Sequence, residues 1–168
     1  MVENHRVWDV YDQLRTIRLN EKYYGKRLQK YERINFFSEI ILAATSSSSA
    51  IANIADKSGD FWEYLLIFSA LIAIAKPSLQ LTKKIRAYEE LLAGYRLLFH
   101  DLKDLKIDIS QTREYSKSHQ TKFKKIIEKQ RGLEAKSPER YEAKKVKKTC
   151  TDEVDLEYPK ENFYIPEM

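Results

Sequence analysis

The stretches INFFSEIILAATSSSSAIANIA, residues 34–55, and FWEYLLIFSALIAIAKPSLQL, residues 61–81, stand on either side of the polar turn DKSGD. They hold 22 and 21 residues, and the chain outside them is heavily charged. At about 1.5 Å of rise per residue, each helix is just long enough for a hydrocarbon core of about 30 Å. We read residues 34–81 as a two-pass membrane hairpin. Neither half is uniformly apolar. Asn35, Glu39, Asn53 and the run Thr45, Ser46, Ser47, Ser48 and Ser49 interrupt the first, and Glu63, Lys76 and Pro77 interrupt the second.

The alternative reading is the central hairpin of a soluble helical bundle. The charges argue for the membrane. Arg27 and Arg33 precede the first segment, and Lys83, Lys84 and Arg86 follow the second, while the turn carries only Asp56, Lys57 and Asp60. Basic outer flanks around a non-basic turn are what the positive-inside rule expects when both termini are cytoplasmic. Phe61, Trp62 and Tyr64 open the second segment, where an interfacial aromatic belt belongs.

The polar interruptions carry meaning at that depth. Glu39 lies five residues after Ile34 and Lys76 five before Leu81, so an antiparallel hairpin places them at one level. Charges in hydrocarbon pair, snorkel or face water. Pairing of Glu39 with Lys76 and simple snorkelling of Lys76 beside a protonated Glu39 both fit. Pro77 is expected to kink or end the helix there. Ala44, Ser48 and Ala52 form a small-residue seam that lets helices approach closely. The hydroxyl run then has two readings: packing with hydroxyls bonded back to their own helix, or a polar strip facing a water-filled path closed by neighbouring copies. Either way a homo-oligomer is expected.

Long amphipathic helices flank the hairpin. Residues 5–33 place Val7, Val10, Leu14, Ile17, Tyr24, Leu28 and Tyr31 at heptad a and d spacing, with Glu21 the one polar member. Residues 84–110 place Tyr88, Leu92, Tyr95, Phe99, Leu102 and Ile109 likewise, and Leu91, Leu98 and Leu105 widen that stripe. The two seams are expected to zip together as a cytoplasmic stalk. A third helix is expected near residues 112–133, basic on one side. Another is expected to start at Ser137-Pro138-Glu139, with Ser137 as N-cap and Pro138 in the first turn.

Only four glycines and four prolines among 168 residues, with 33% charged, suit long helices. The chain is read as one helical unit over residues 1–150 and an acidic tail over residues 151–168, folded back on the basic body or disordered. The net charge of +5 is uneven: +3 over residues 1–33, +9 over residues 83–150 and −5 over residues 151–168. A basic body beside a membrane points to anionic lipid heads. Nucleic acid is disfavoured, because the cations are not interleaved with exposed aromatics. Tyr158, Phe163, Tyr164 and Ile165 are candidate anchors for the tail. The N-terminal MVENHRVWDVYDQ lacks a signal peptide's apolar core, so the hairpin itself is expected to set orientation. Cys150 is the single cysteine. His5, His100 and His119 are scattered, with no metal-ligand spacing, phosphate loop or nucleophile motif. No cofactor and no enzymatic activity are expected.

The helix RVWDVYDQLRTIRLNEKYYGKRLQKYERIN, the hairpin with its short polar turn and the following helix KKIRAYEELLAGYRLLFHDL together resemble the SMODS- and SLOG-associating two-transmembrane effector (SLATT) proteins of bacteria. The resemblance is architectural and covers about residues 5–135. It implies an all-α inner-membrane protein that forms pores or perturbs the membrane in a nucleotide-linked, antiphage-type conflict system. It also implies a partner that makes or senses a nucleotide. The expectation is therefore an oligomeric membrane effector, with a soluble helical-bundle scaffold as the alternative.

Overall fold

The structure, a computed structural model, describes residues 6–46, 60–139 and 141–164. The described residues form five α-helices and no strand: α1 (Val7–Ser46), α2 (Asp60–Leu79), α3 (Leu81–Thr112), α4 (Lys117–Glu134) and α5 (Lys144–Glu157), then a 3-10 turn at Lys160–Asn162. The protein is all-α. Where one helical unit was expected over residues 1–150, two compact units are found. One, the bundle, combines Met1–Arg27 with Ala87–Met168; the other, the apolar unit, is Leu28–Arg86.

The bundle is built on the apolar seams of α1 and α3. Val7, Val10, Tyr11, Leu14, Ile17, Tyr23 and Tyr24 are buried on α1, with three- and four-residue spacing dominant, as a helix with one inward face requires. Tyr88, Leu91, Tyr95, Leu98, Phe99, Leu102, Leu105 and Ile109 are buried on α3. Tyr24 stacks on Tyr95 at 5.3 Å between ring centroids and tilts against Tyr88 at 6.2 Å. Leu92 is only half-buried, yet its δ-methyl stands 3.7 Å from where a Gly25 side chain would begin. Leu91, on the wider stripe, is the more deeply buried of the two, on a helix that must also pack against α4. Gly94 serves that packing: a Cβ there would meet Leu133 of α4 at 2.6 Å.

The third helix starts later than its pattern suggests. Arg113, at φ 51, ends α3, and Ser116 caps α4. The Ser116 hydroxyl accepts from the His119 N–H, and His119 Nδ1 accepts from the Ser116 N–H at 3.2 Å. This is a capping box with histidine in the place usually held by Glu or Gln. Ser137 does not cap the last helix. Residues 137–139 are not helical, and α5 begins at Lys144 after Ala143, with no side-chain cap. Nor does a tail begin at residue 151. The fifth helix runs on to Glu157, burying Cys150 and Val154 one turn apart.

The apolar unit contains the second half of α1, all of α2 and the start of α3. The first helix continues past Arg33 without a break, since no proline or cap intervenes. Only part of the first expected membrane segment is described; residues 47–55 and the turn 56–59 lie outside the described residues. Pro77 sits inside α2, which closes two residues later. Gln80, at φ 47, turns the chain and donates its N–H to the Pro77 carbonyl at 3.2 Å. Leu28, Ser69 and Leu81 are buried, but Phe36, Phe37, Ile67, Phe68, Leu71 and Ile74 are exposed, Ile74 by 74%. Among the described residues, no single helix is long and apolar enough to cross a membrane; Leu66–Pro77 and Leu81–Thr112, bent at the break between them, reach that length and composition together.

Leu14 and Leu102 each sit at 2% exposure or less. Replacing either by Asp places an unpaired charge in the seam. Each variant is expected to lose at least about 3 kcal/mol of stability. Thr16→Asp, on the exposed face of α1, is expected to stay within about 0.5 kcal/mol of the parent. Urea denaturation of the three variants would measure this, and equal midpoints would rule out the seam.

Candidate functional site

Two polar constellations stand out, one in each unit. In the apolar unit, Lys76 Nζ of α2 lies 3.2 Å from Glu39 Oε1 of α1, and Asn35 Nδ2 donates to the same oxygen at 2.9 Å. The carboxylate is thus held by a cation from the facing helix and an amide one turn back on its own. In water such an exposed pair contributes little. In hydrocarbon the same pair would mask two charges from a medium that cannot solvate them. Three hydroxyls of this unit bond back to their own helices. Thr45 Oγ1 donates to the Ile41 and Leu42 carbonyls, Ser38 to Ile34 and Ser69 to Leu66. Ser46 is the last residue of α1, and Ser47, Ser48 and Ser49 lie outside the described residues. Of the expected polar strip, Thr45 is bonded back to its own helix.

In the bundle, the seam residues Leu14, Ile17, Tyr24, Tyr88, Tyr95 and Phe99 are buried, while Leu28 is buried in the apolar unit. The seam ends on a constellation that pattern reading does not find. Glu139, in the loop between α4 and α5, accepts hydrogen bonds from the hydroxyls of Tyr23 and Tyr88 and from Nε of Arg27. Its side chain is only 9% exposed. Tyr23 in turn accepts the Ala143 N–H at 2.9 Å, and Tyr24 donates to the Ser137 hydroxyl at 3.4 Å. One carboxylate so fastens the 137–143 loop to α1 and α3. This explains why Ser137 is not a cap. Burial, and then the bond to Glu139, push the Tyr23 hydroxyl up to about 12. Tyr24 stands on the apolar seam read from the sequence and Tyr23 beside it does not; the need of two adjacent phenols for an acceptor was the available signal.

The acidic end of α5 lies along a basic stripe of α1. Arg18 grips Glu157 with two bonds, at 2.8 and 3.2 Å, and Lys22 reaches both Glu153 and Glu157. Arg15 pairs with Asp155 and Lys26 with Glu153. Beyond the helix, Phe163 stacks on Tyr11 at 4.4 Å, Tyr158 meets Phe99 edge-on at 6.1 Å, and Tyr11 donates to the Tyr164 carbonyl. Ile165 lies outside the described residues. Among the described residues, no group of three or more His, Cys, Asp and Glu side chains is placed to hold a metal ion.

Two outcomes follow from these contacts. Glu139→Ala strands two phenols and a guanidinium and is expected to cost about 3 kcal/mol, read by urea denaturation, with Glu142→Ala as the exposed control. The second concerns pH. Hydrogen bonds from Lys26 and Arg18 hold Glu153 and Glu157 below the ordinary 4.5. Their contribution is therefore complete above pH 4.5 and is lost as pH falls through the lowered values. Cys150, buried on the inner side of α5, is expected to resist a dithiodipyridine reagent above pH 4.5 and to react once the pH has fallen through the lowered values of the two carboxylates. Protection that persists in acid would mean that the apolar contacts alone hold α5. No family model, curated protein or solved structure matches this chain.

Proposed function

We propose that residues 34–81 enter the inner membrane as a helical hairpin with both termini in the cytoplasm, and that copies of the chain assemble into a pore-forming or membrane-perturbing effector. The observation that carries this reading is the contrast between the units. The bundle buries Tyr11, Tyr88, Tyr95, Leu14, Leu91 and Leu102 almost completely and exposes large apolar residues only at separate positions such as Leu97 and Leu156, whereas the apolar unit turns phenylalanine, isoleucine and leucine outward on both of its long helices. Water-soluble monomers rarely expose contiguous apolar patches beyond about a few hundred Å². The basic flanks and the non-basic turn supply the orientation. The effector role in a nucleotide-linked conflict system, and a nucleotide-producing or nucleotide-sensing partner, rest on the resemblance to SLATT proteins. On this reading a change in the packing of the cytoplasmic helices rearranges the hairpins.

A soluble scaffold is the second reading, favoured by the absence of a single spanning helix among the described residues. There the exposed apolar side chains would be covered by other copies. Fractionation separates the two. The membrane reading expects recovery only with detergent; recovery in the soluble fraction would sink it. Topology is checked by cysteine labelling of intact cells on a Cys150→Ala background, since the native thiol is buried. Ser58→Cys is expected to react with an impermeant reagent and Lys148→Cys, exposed on α5, only after lysis.

A further inference from the structure

A groove of about 510 Å³ opens in the apolar unit where α2 gives way to α3. Its walls are Leu42, Ala73, Pro77 and Leu81, and its polar lining includes Lys76 and Lys83 with Gln80 and Thr82. The lining thus joins an apolar trough to cationic and hydrogen-bonding groups. Lys76 shares its charge with Glu39, but Lys83 is exposed and belongs to the run Lys83, Lys84 and Arg86. The first turn of α3 contains no acidic residue to balance that run. Lys84 is turned over the Tyr31 ring at 5.7 Å, which leaves Lys83 as the cation of the run that lines the groove.

We propose that this groove binds an anionic phospholipid, its phosphate on Lys83, Thr82 and Gln80 and an acyl chain along Leu42, Ala73 and Pro77. The assignment rests on the membrane reading above, which puts residue 81 at the cytoplasmic edge of the bilayer. Charge complementarity and the shape of the lining favour this occupant. A free anion would use the cations and leave the apolar walls wet. A neutral zwitterionic lipid would bring its own cation to Lys83. A lysine beside an anionic membrane surface supplies about a fivefold preference.

The test uses full-length protein purified in detergent and titrated with phosphatidylglycerol or phosphatidylcholine, with retained lipid read by native mass spectrometry. Phosphatidylglycerol is expected to be retained about fivefold more tightly. Lys83→Gln should remove most of that preference. Lys103→Gln, an equal loss of charge at an exposed position of the bundle, should keep it. Equal retention of both lipids, or equal effects of the two substitutions, would overturn the site. Displacement of the lipid by millimolar inorganic phosphate would overturn the phospholipid as occupant. Fractionation stands apart from these results. A chain extracted only by detergent yet showing no lipid preference would remove the lipid site alone, whereas a soluble chain would remove the membrane reading and the site with it.

Discussion

The stacking of Tyr24 on Tyr95 at 5.3 Å is the contact on which the bundle depends. It sets α1 against α3 at a position where both helices carry tyrosine, and an aromatic ring is a large apolar surface with one polar end. Burying the rings therefore creates an obligation to satisfy hydroxyls. Tyr23 and Tyr88 meet it through Glu139, and Tyr24 through Ser137. The loop between α4 and α5 is drawn in by that need. Once it is fastened, α5 is committed to the flank of α1, where Cys150 and Val154 complete the apolar contact.

Charge then decides how the end of the chain is used. The −5 of residues 151–168 and the basic stripe of α1 are complementary, and each exposed pair alone would contribute little. Their value lies in number and in the two-bonded grip of Arg18 on Glu157. Phe163 against Tyr11 adds an apolar clasp beyond the helix. Three acids of this segment, Glu153, Asp155 and Glu157, are thus engaged within the bundle, and the region's net charge overstates what is available to an outside ligand.

The apolar unit obeys a different constraint. Its two long helices bring together one ion pair and bond Ser38, Thr45 and Ser69 back to their own carbonyls, which is how polar groups are accommodated where water is scarce. Its large apolar side chains nevertheless face outward. Outward-facing apolar side chains are the inverse of the bundle, and they are the pattern that an apolar solvent rewards.

By itself the sequence determined the all-α class, the apolar faces of α1 and α3, and the opposition of charge between the chain's end and its body. Those features are periodic or cumulative, so neighbouring residues carry them. Glu39 and Lys76 were placed at one level by counting from the ends of their segments. Tertiary structure decided what depends on residues far apart. Leu91, on the wider stripe, is buried more deeply than Leu92, on the expected seam, on a helix that also packs against α4 at Gly94. Ser116, with His119, capped α4, whereas Ser137 and Pro138, a sound local start signal, went unused. The reason is physical: a capping pattern is a preference of about 1 kcal/mol, and the buried carboxylate of Glu139, two residues on, answers two phenols and a guanidinium whose desolvation is worth more.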